Sequence, residues 1–256
     1  MQLYCALTSL MQLYSVYSSP DFDVQIKDDQ TPVTIADRQA HDEILEKLKD
    51  TGLPVLSEEG IHLSYKDRKH WNLFWLVDPL DGTKEFIKRN DEFTVNIALI
   101  QNCQPIAGVI SAPVTGELYV GIQGIGAFKL FHPTEDCTFQ FLQLSGTKLP
   151  EKLKSDQFIV AISRSHMNRA TEAFIESLRT EHPAIKIVSK GSSLKMCMVA
   201  EGEVDIYPKL GTTMEWDTAA GHAILKAVGK NIFLPDLKTE LTYNKENLQN
   251  PHFIAI

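Results

Sequence analysis

The chain has 256 residues, with 25 Lys and Arg against 33 Asp and Glu for a formal charge of −8, and 43% hydrophobic content. These values describe a folding globular chain and exclude a disordered, fibrous or collagen-like one. The acidic excess repels a phosphate backbone, so no nucleic-acid polymer is expected as a partner, whereas a small anion can still bind where cations gather.

Cys5, Cys103, Cys137 and Cys197 form no CxxC pair and have no His at metal-ligand spacing, a usage that suits free thiols in a reducing compartment. The first 26 residues hold no Lys or Arg, and polar residues break their apolar run, so they lack the pattern of a secretory signal. A cytoplasmic location is expected. No apolar run approaches the ~20 residues needed to span a bilayer, which leaves peripheral membrane association open.

Leu3, Leu7, Leu10, Tyr14 and Tyr17 recur at steps of three and four and predict an N-terminal helix ending before Ser18-Ser19-Pro20. Thr34 is placed to cap a second helix, with Ala36, Ala40, Ile44 and Leu48 on one face, Asp37 in its first turn and Gly52 at its end. Short β-like runs follow at 54–56, 73–77, 93–100, 106–110 and 118–122, separated by turn residues, and predict an antiparallel meander. The glycines of Gly121-Ile-Gln-Gly124-Ile-Gly126 lie between two strands and read as a hairpin turn, not a nucleotide loop. From Phe158 the rhythm becomes strand and helix in alternation: strands at 158–162, 185–188 and 204–207, with helices over 168–179, from Ser192, and over 216–228. The stretch 144–155 marks the expected boundary between an α+β lobe, 1–145, and an α/β lobe, 146–256.

No Walker loop, HExxH or GxSxG elbow is present. In Trp75-Leu-Val-Asp78-Pro79-Leu80-Asp81-Gly82-Thr83 a hydrophobic strand runs into two carboxylates three residues apart. Pro79 and Gly82 shape a turn that can aim Asp78, Asp81 and the Leu80 carbonyl at one point, and hard oxygens suit Mg²⁺ better than zinc. Alone, the segment reads equally as an ordinary turn. Ser57-Glu58-Glu59 and Trp216-Asp217 add acidic residues at a strand end and a helix start; alone these are a surface pair and a cap. Three acidic element ends in one chain favour a polynuclear metal site.

Asp37 after Pro32-Val-Thr-Ile-Ala, Glu58-Glu59, Asp78-Pro-Leu-Asp81-Gly-Thr83 and Trp216-Asp217 resemble, in order, the signature of the lithium-sensitive, Mg²⁺-dependent phosphomonoesterases that include inositol monophosphatase. Together with Phe93-Thr-Val-Asn-Ile-Ala-Leu-Ile100, Ser163-Arg-Ser-His166 and Gly191-Ser-Ser-Leu-Lys195, they are similar to the bacterial 3′(2′),5′-bisphosphate nucleotidase branch of that family. The resemblance covers roughly Asp21 to the C-terminus and implies a layered α/β/α/β/α sandwich. It implies that Glu58, Asp78, the Leu80 carbonyl, Asp81 and Asp217 hold two or three Mg²⁺ ions, with Glu58 also counted as catalytic. Asp37 and Thr83 would orient and deprotonate the attacking water, and the Gly82 and Thr83 amides would cradle the phosphate. Ser192, Lys195 and Lys209 would take a distal phosphate, His166 the nucleotide, and Asp217 would also face the substrate. Two departures stand out: Ala6-Leu7 replaces the Ala-Gly pair usual in the first helix, and Lys209 stands where relatives often carry Arg.

The activity implied is hydrolysis of the 3′-phosphate of 3′-phosphoadenosine 5′-phosphate to give AMP, in sulfur metabolism, by a monomer or homodimer. An inositol monophosphatase is the alternative with the same chemistry. A non-catalytic metal- and anion-binding protein is the alternative of another class.

Overall fold

The computed structural model describes residues 17, 24–26, 32–61, 63–134, 137–151, 157–165 and 167–256. Of the expected first helix only Tyr17 is among them; Leu3, Leu7, Leu10 and Tyr14, like Cys5 and His166, lie outside the described residues. Tyr17 is buried against Phe86 and Phe93 and donates its hydroxyl proton to Asp91 at 2.6 Å.

After two short paired strands, β1 (Gln25–Ile26) and β2 (Pro32–Val33), helix α1 runs over Ile35–Leu48. Its start follows the expected chemistry: Thr34 Oγ1 accepts the Ala36 amide while Asp37 accepts the Thr34 amide in return. It ends in a short 3₁₀ turn, Lys49–Thr51, closed by Gly52 at φ 64°.

The central sheet has seven strands in the order β3 (Val55–Ser57), β4 (Leu73–Asp81), β5 (Thr94–Gln101), β6 (Gln104–Ala112), β7 (Glu117–Ile122), β8 (Gly126–Phe131) and β9 (Thr147–Leu149). The meander is antiparallel from β4 onward, with the glycine-rich turn joining β7 to β8 as a hairpin. β3, expected to belong to that antiparallel run, pairs parallel to β4. The connection between them carries a short helix, α2 (Tyr65–Arg68), and is long enough for the crossover that parallel pairing requires. Within the predicted boundary stretch, 147–149 form the edge strand β9.

Both faces of the sheet are covered, which explains the unbroken apolar run of β4. On one side Ala36, Ala40, Ile44 and Leu48 of α1 pack with Trp75, Val77, Val95 and Ile97. On the other, Phe74, Leu76, Ala98 and Tyr119 meet two helices, α6 (Leu194–Glu201) and α7 (Glu215–Ala227). Between β8 and β9 the chain adds α4 (Phe139–Ser145), which sits beside β8.

The middle helices also contact a second sheet through Ala161, Tyr207, Phe253 and Ala255. Here β10 (Phe158–Ser163) pairs parallel with β11 (Ile185–Lys190). A Val160–Ile206 bridge joins them to β12 (Tyr207–Lys209), which pairs with β14 (Phe253–Ala255), itself beside β13 (Ile232–Phe233). Outermost is α5 (Arg169–Leu178), whose Ile175 packs on Val160, Ile206 and Ile254. The result is the expected α/β/α/β/α sandwich. Two boundaries move: α6 begins at Leu194 and not Ser192, because Ser192 has a left-handed backbone at φ 45°, and the strand expected at 204–207 is displaced to β12. No helix of the described residues is long and apolar enough to cross a membrane.

Candidate active site

Several element ends converge on one cleft between the layers, lined by Glu58, Asp78, Asp81, Thr83, Lys195 and Lys209 among others. The corner after β4 supplies most of it. Register between β4 and β5 slips between Asp78, opposite Asn96, and Asp81, opposite Thr94, so Pro79 and Leu80 bulge from the ladder between the two carboxylates. The Leu80 amide donates to Asp78 Oδ1 at 3.0 Å, tightening the turn. Gly82 follows at φ 95°, and a Cβ there would lie 3.2 Å from the Glu92 carbonyl oxygen, so the corner requires glycine. Thr83 then opens a short helix, α3 (Thr83–Ile87).

Glu58 leaves the end of β3 with its amide donating to the Val77 carbonyl at 3.1 Å, which fixes it beside Asp78. Behind it, His41 Nδ1 lies 2.9 Å from Ser57 Oγ. Asp217 stands in the first turn of α7 and accepts the Met214 amide at 2.9 Å through Oδ2. One oxygen thus closes the helix start from its third position, the N-cap being Met214, and the carboxylate also lines the cleft.

Glu58, Asp78 and Asp217 bring carboxylate oxygens within 4.8 Å of one another. Burial pushes Asp78 well above the usual carboxylate range, and the charges of Glu58, Asp81 and Asp217 push it further. Asp217 is raised in the same way, by burial and then by Asp81 and Glu58. Asp81 is raised by burial but steadied by the Lys195 charge and the Ser193 amide. Buried like charges this close are unfavourable without a counter-charge. An all-oxygen set that repels itself in this way fits a hard divalent cation, so these residues could hold a metal.

Asp37 and Thr83 meet as expected. Thr83 Oγ1 donates to Asp37 Oδ1 at 3.2 Å, with the Leu80 carbonyl at 3.4 Å as its other acceptor. Asp37 Oδ2 is held by the Thr34 amide and hydroxyl, each at 2.7 Å, so Asp37 closes the helix start with one oxygen and meets Thr83 with the other.

The opposite wall of the cleft is cationic. Lys209 is 8% exposed, and its ammonium has no hydrogen-bond or ion-pair partner among the described residues; burial lowers its pKa against the pull of Asp217 and Asp81. Lys195 is 3% exposed and donates to the carbonyls of Lys190 at 3.1 Å and Ser192 at 2.5 Å, with its ammonium 5.1 Å from the Tyr207 ring centre. Burial lowers its pKa to about 8. Ser192 Oγ is buried without a hydrogen-bond partner among the described residues. Gly82 lies beside this wall, since its absent Cβ would be 3.4 Å from that of Ser192.

The sequence profile of the inositol monophosphatase family matches residues 4–252. The chain belongs to the inositol monophosphatase family. It is 42% identical over 248 residues, 96% of this chain and 92% of the relative, to the 3′(2′),5′-bisphosphate nucleotidase CysQ of Shigella flexneri. Its structure matches that of CysQ from Bacteroides thetaiotaomicron, a bacterial member of the same family, with a TM-score of 0.92 and 46% identity over 99% of this chain and 94% of that one. The Thermotoga maritima IMPase, at 22% identity, shares the fold with a TM-score of 0.72 over 98% of this chain and 88% of its own.

Several side chains of this inositol monophosphatase family member escaped the sequence reading. Thr94, Asn96 and Ser193 form a buried network beside Asp81, with Ser193 Oγ 2.7 Å from both Thr94 Oγ1 and Asn96 Oδ1. Their signal was present, because Thr94 and Asn96 are polar at alternate positions of an otherwise apolar strand, which puts both on one face. Tyr207, beneath Lys195, carries no signal beyond its place in a strand.

Proposed function

We propose that the chain is a Mg²⁺-dependent phosphomonoesterase that removes the 3′-phosphate of 3′-phosphoadenosine 5′-phosphate, giving AMP and inorganic phosphate. The observation that carries this reading is Lys209, only 8% exposed and with no hydrogen-bond or ion-pair partner for its ammonium among the described residues, in the same cleft as the carboxylate cluster. A buried cation without a bonded counter-ion is costly, and a second phosphate of the substrate relieves that cost. The bisphosphate nucleotidase name of the relatives at 42% identity supports the same choice over an inositol phosphate. In this reading residues 1–145 supply most metal ligands, and residues 146–256 supply the nucleotide subsite and Asp217.

Glu58, Asp78, Asp81, Asp217 and the Leu80 carbonyl would hold two or three Mg²⁺ ions. Bound there, Mg²⁺ neutralises phosphate charge and makes water a better nucleophile. Thr83 gives its hydroxyl proton to Asp37, which leaves its own lone pairs to accept from the attacking water. As the water oxygen bonds to phosphorus, the bond to the ribose 3′-oxygen breaks; the proton lost by the water passes through Thr83 to Asp37, and the leaving 3′-oxygen takes a proton from solvent to become the 3′-hydroxyl of AMP. The Gly82 and Thr83 amides face the transferred phosphate. Ser192, Lys195 and Lys209 receive the distal phosphate, with the orphaned Ser192 hydroxyl as an added donor, and His166 receives the nucleoside.

With Mg²⁺, phosphate release from 3′-phosphoadenosine 5′-phosphate should exceed that from 3′-AMP and from inositol 1-phosphate. A hydrogen bond to a charged group contributes ~1.5–3 kcal/mol, so Lys209→Ala should raise KM for the bisphosphate by ~10- to 100-fold and leave 3′-AMP unchanged. Faster release from inositol 1-phosphate, or equal losses on both nucleotides, would count against the assignment.

A further inference from the structure

We propose that Glu92 is a positioning residue that locks the distal-phosphate wall of the cleft onto the corner carrying Thr83; this rests on the function proposed above. Glu92 lies between α3 and β5 and is 7% exposed, yet it reaches across to the second sheet. Its Oε2 accepts Arg164 Nε at 2.6 Å and the Gly191 amide at 2.8 Å. Its Oε1 accepts Arg164 Nη2 at 2.7 Å and lies 3.5 Å from Lys190 Nζ. Arg164 directly follows β10, Lys190 ends β11 and Gly191 begins the next turn, so one carboxylate gathers the ends of two parallel strands.

Backbone packing makes the junction tight. A Cβ at Gly191 would lie 2.7 Å from the Glu92 carbonyl oxygen and 2.8 Å from its Cβ, while Gly82 approaches the same carbonyl from the other side. Residue 92 is thus wedged between the glycine of the phosphate corner and the glycine of the distal turn. A second tie runs parallel to it: Ser165 Oγ donates to Glu85 Oε1 at 2.5 Å, from the residue after Arg164 to helix α3.

The consequence reaches the distal subsite through the backbone. Lys195 is held by the carbonyls of Lys190 and Ser192, the residues on either side of Gly191. Fixing Gly191 therefore fixes Lys195, and it sets the Ser192 hydroxyl at its strained φ of 45°. The Arg164 fork and the Lys190 ammonium are both engaged by Glu92, and the bidentate Arg164 arrangement confers geometry as well as attraction. Glu92 is not among the residues lining the cleft. Its role is to keep the spacing between the two phosphate sites matched to one rigid nucleotide, and displacements near 1 Å in such positioning cost up to ~10²-fold.

Glu92→Gln and Glu92→Asp should be assayed on 3′-phosphoadenosine 5′-phosphate and on 3′-AMP, with amide hydrogen exchange followed over residues 189–195. Gln keeps an acceptor for the Gly191 amide but loses the charge that holds Arg164. The expected result is a KM for the bisphosphate raised by ~10- to 100-fold, nearly unchanged kcat, unchanged kinetics on 3′-AMP and faster exchange at Gly191 and Ser193. Asp, which retains the charge, should recover part of the loss. Equal losses on both substrates, losses that follow a lowered melting temperature, or unaltered exchange would each overturn the proposal. A wild-type enzyme that does not prefer the bisphosphate would instead overturn the proposed function, and the exchange measurement, which needs no substrate, then still decides whether the lock exists.

Discussion

Asp37→Asn should lower kcat by the ~10²- to 10⁴-fold typical of a lost general base, with KM for the bisphosphate nearly unchanged. The reason lies in how Asp37 divides its two oxygens. Oδ2 accepts two donors from Thr34, and Oδ1 accepts the Thr83 hydroxyl. An asparagine has one oxygen for these two tasks. If its oxygen stays with the Thr34 amide, its NH₂ faces Thr83, which then has no acceptor there for the proton relayed from water. If it turns over, the helix start loses the acceptor of its capping box, which costs about 0.5–2 kcal/mol. The first arrangement keeps the buried amide satisfied and is the one expected, so the melting temperature should change little while turnover collapses. Thr83→Ser, which keeps the hydroxyl, should retain much more activity than Thr83→Val. Steady-state kinetics beside calorimetry checks this. An unchanged kcat in Asp37→Asn would leave Asp37 with only its capping role.

What was legible in the sequence was local. The cap at Thr34, the turn residues around Asp78 to Gly82, the hairpin glycines and the alternation of strand and helix after Phe158 each depend on neighbours in the chain, and each recurs in the structure. The parallel pairing of β3 with β4 was not legible, because pairing direction is set by the crossover between the strands and not by their composition. The Asp37–Thr83 pair spans 46 residues and was accessible only by resemblance. Arg164 shows the limit of reading charge by type: nothing in its motif names its partner, and its fork is closed on Glu92, 72 residues away. Lys209 shows the converse. Nothing in Tyr-Pro-Lys marks it as buried, yet it is 8% exposed with no bonded partner for its ammonium among the described residues, and the proposed distal-phosphate subsite rests on that.

The acidic cluster allows the largest separation between activity and stability. Asp217→Asn keeps an oxygen for the Met214 amide, so the start of α7 should survive; Asn and Asp are comparable caps. The same change removes one charge from a group whose oxygens lie within 4.8 Å and whose mutual repulsion raises Asp78 and Asp217. Without metal, the variant should therefore melt at the wild-type temperature or above it. With metal the order should reverse. A ligand at 100 times its Kd stabilises the native state by ~2.7 kcal/mol, and a variant whose Mg²⁺ affinity has dropped about 100-fold gains only ~0.4 kcal/mol at the same concentration. Turnover at that Mg²⁺ concentration should fall by at least the same ~100-fold, because the lost carboxylate belongs to the proposed metal set. Asp81→Asn should show the same pattern, with a smaller gain in metal-free stability, since Lys195 already offsets part of the Asp81 charge. Melting curves with and without Mg²⁺, read beside the Mg²⁺ dependence of the rate, test both variants. Wild-type rates and a wild-type Mg²⁺ response in Asp217→Asn would reduce Asp217 to a helix cap. A metal-free variant markedly less stable than wild type would show that the cluster's repulsion is already relieved by something other than a bound cation.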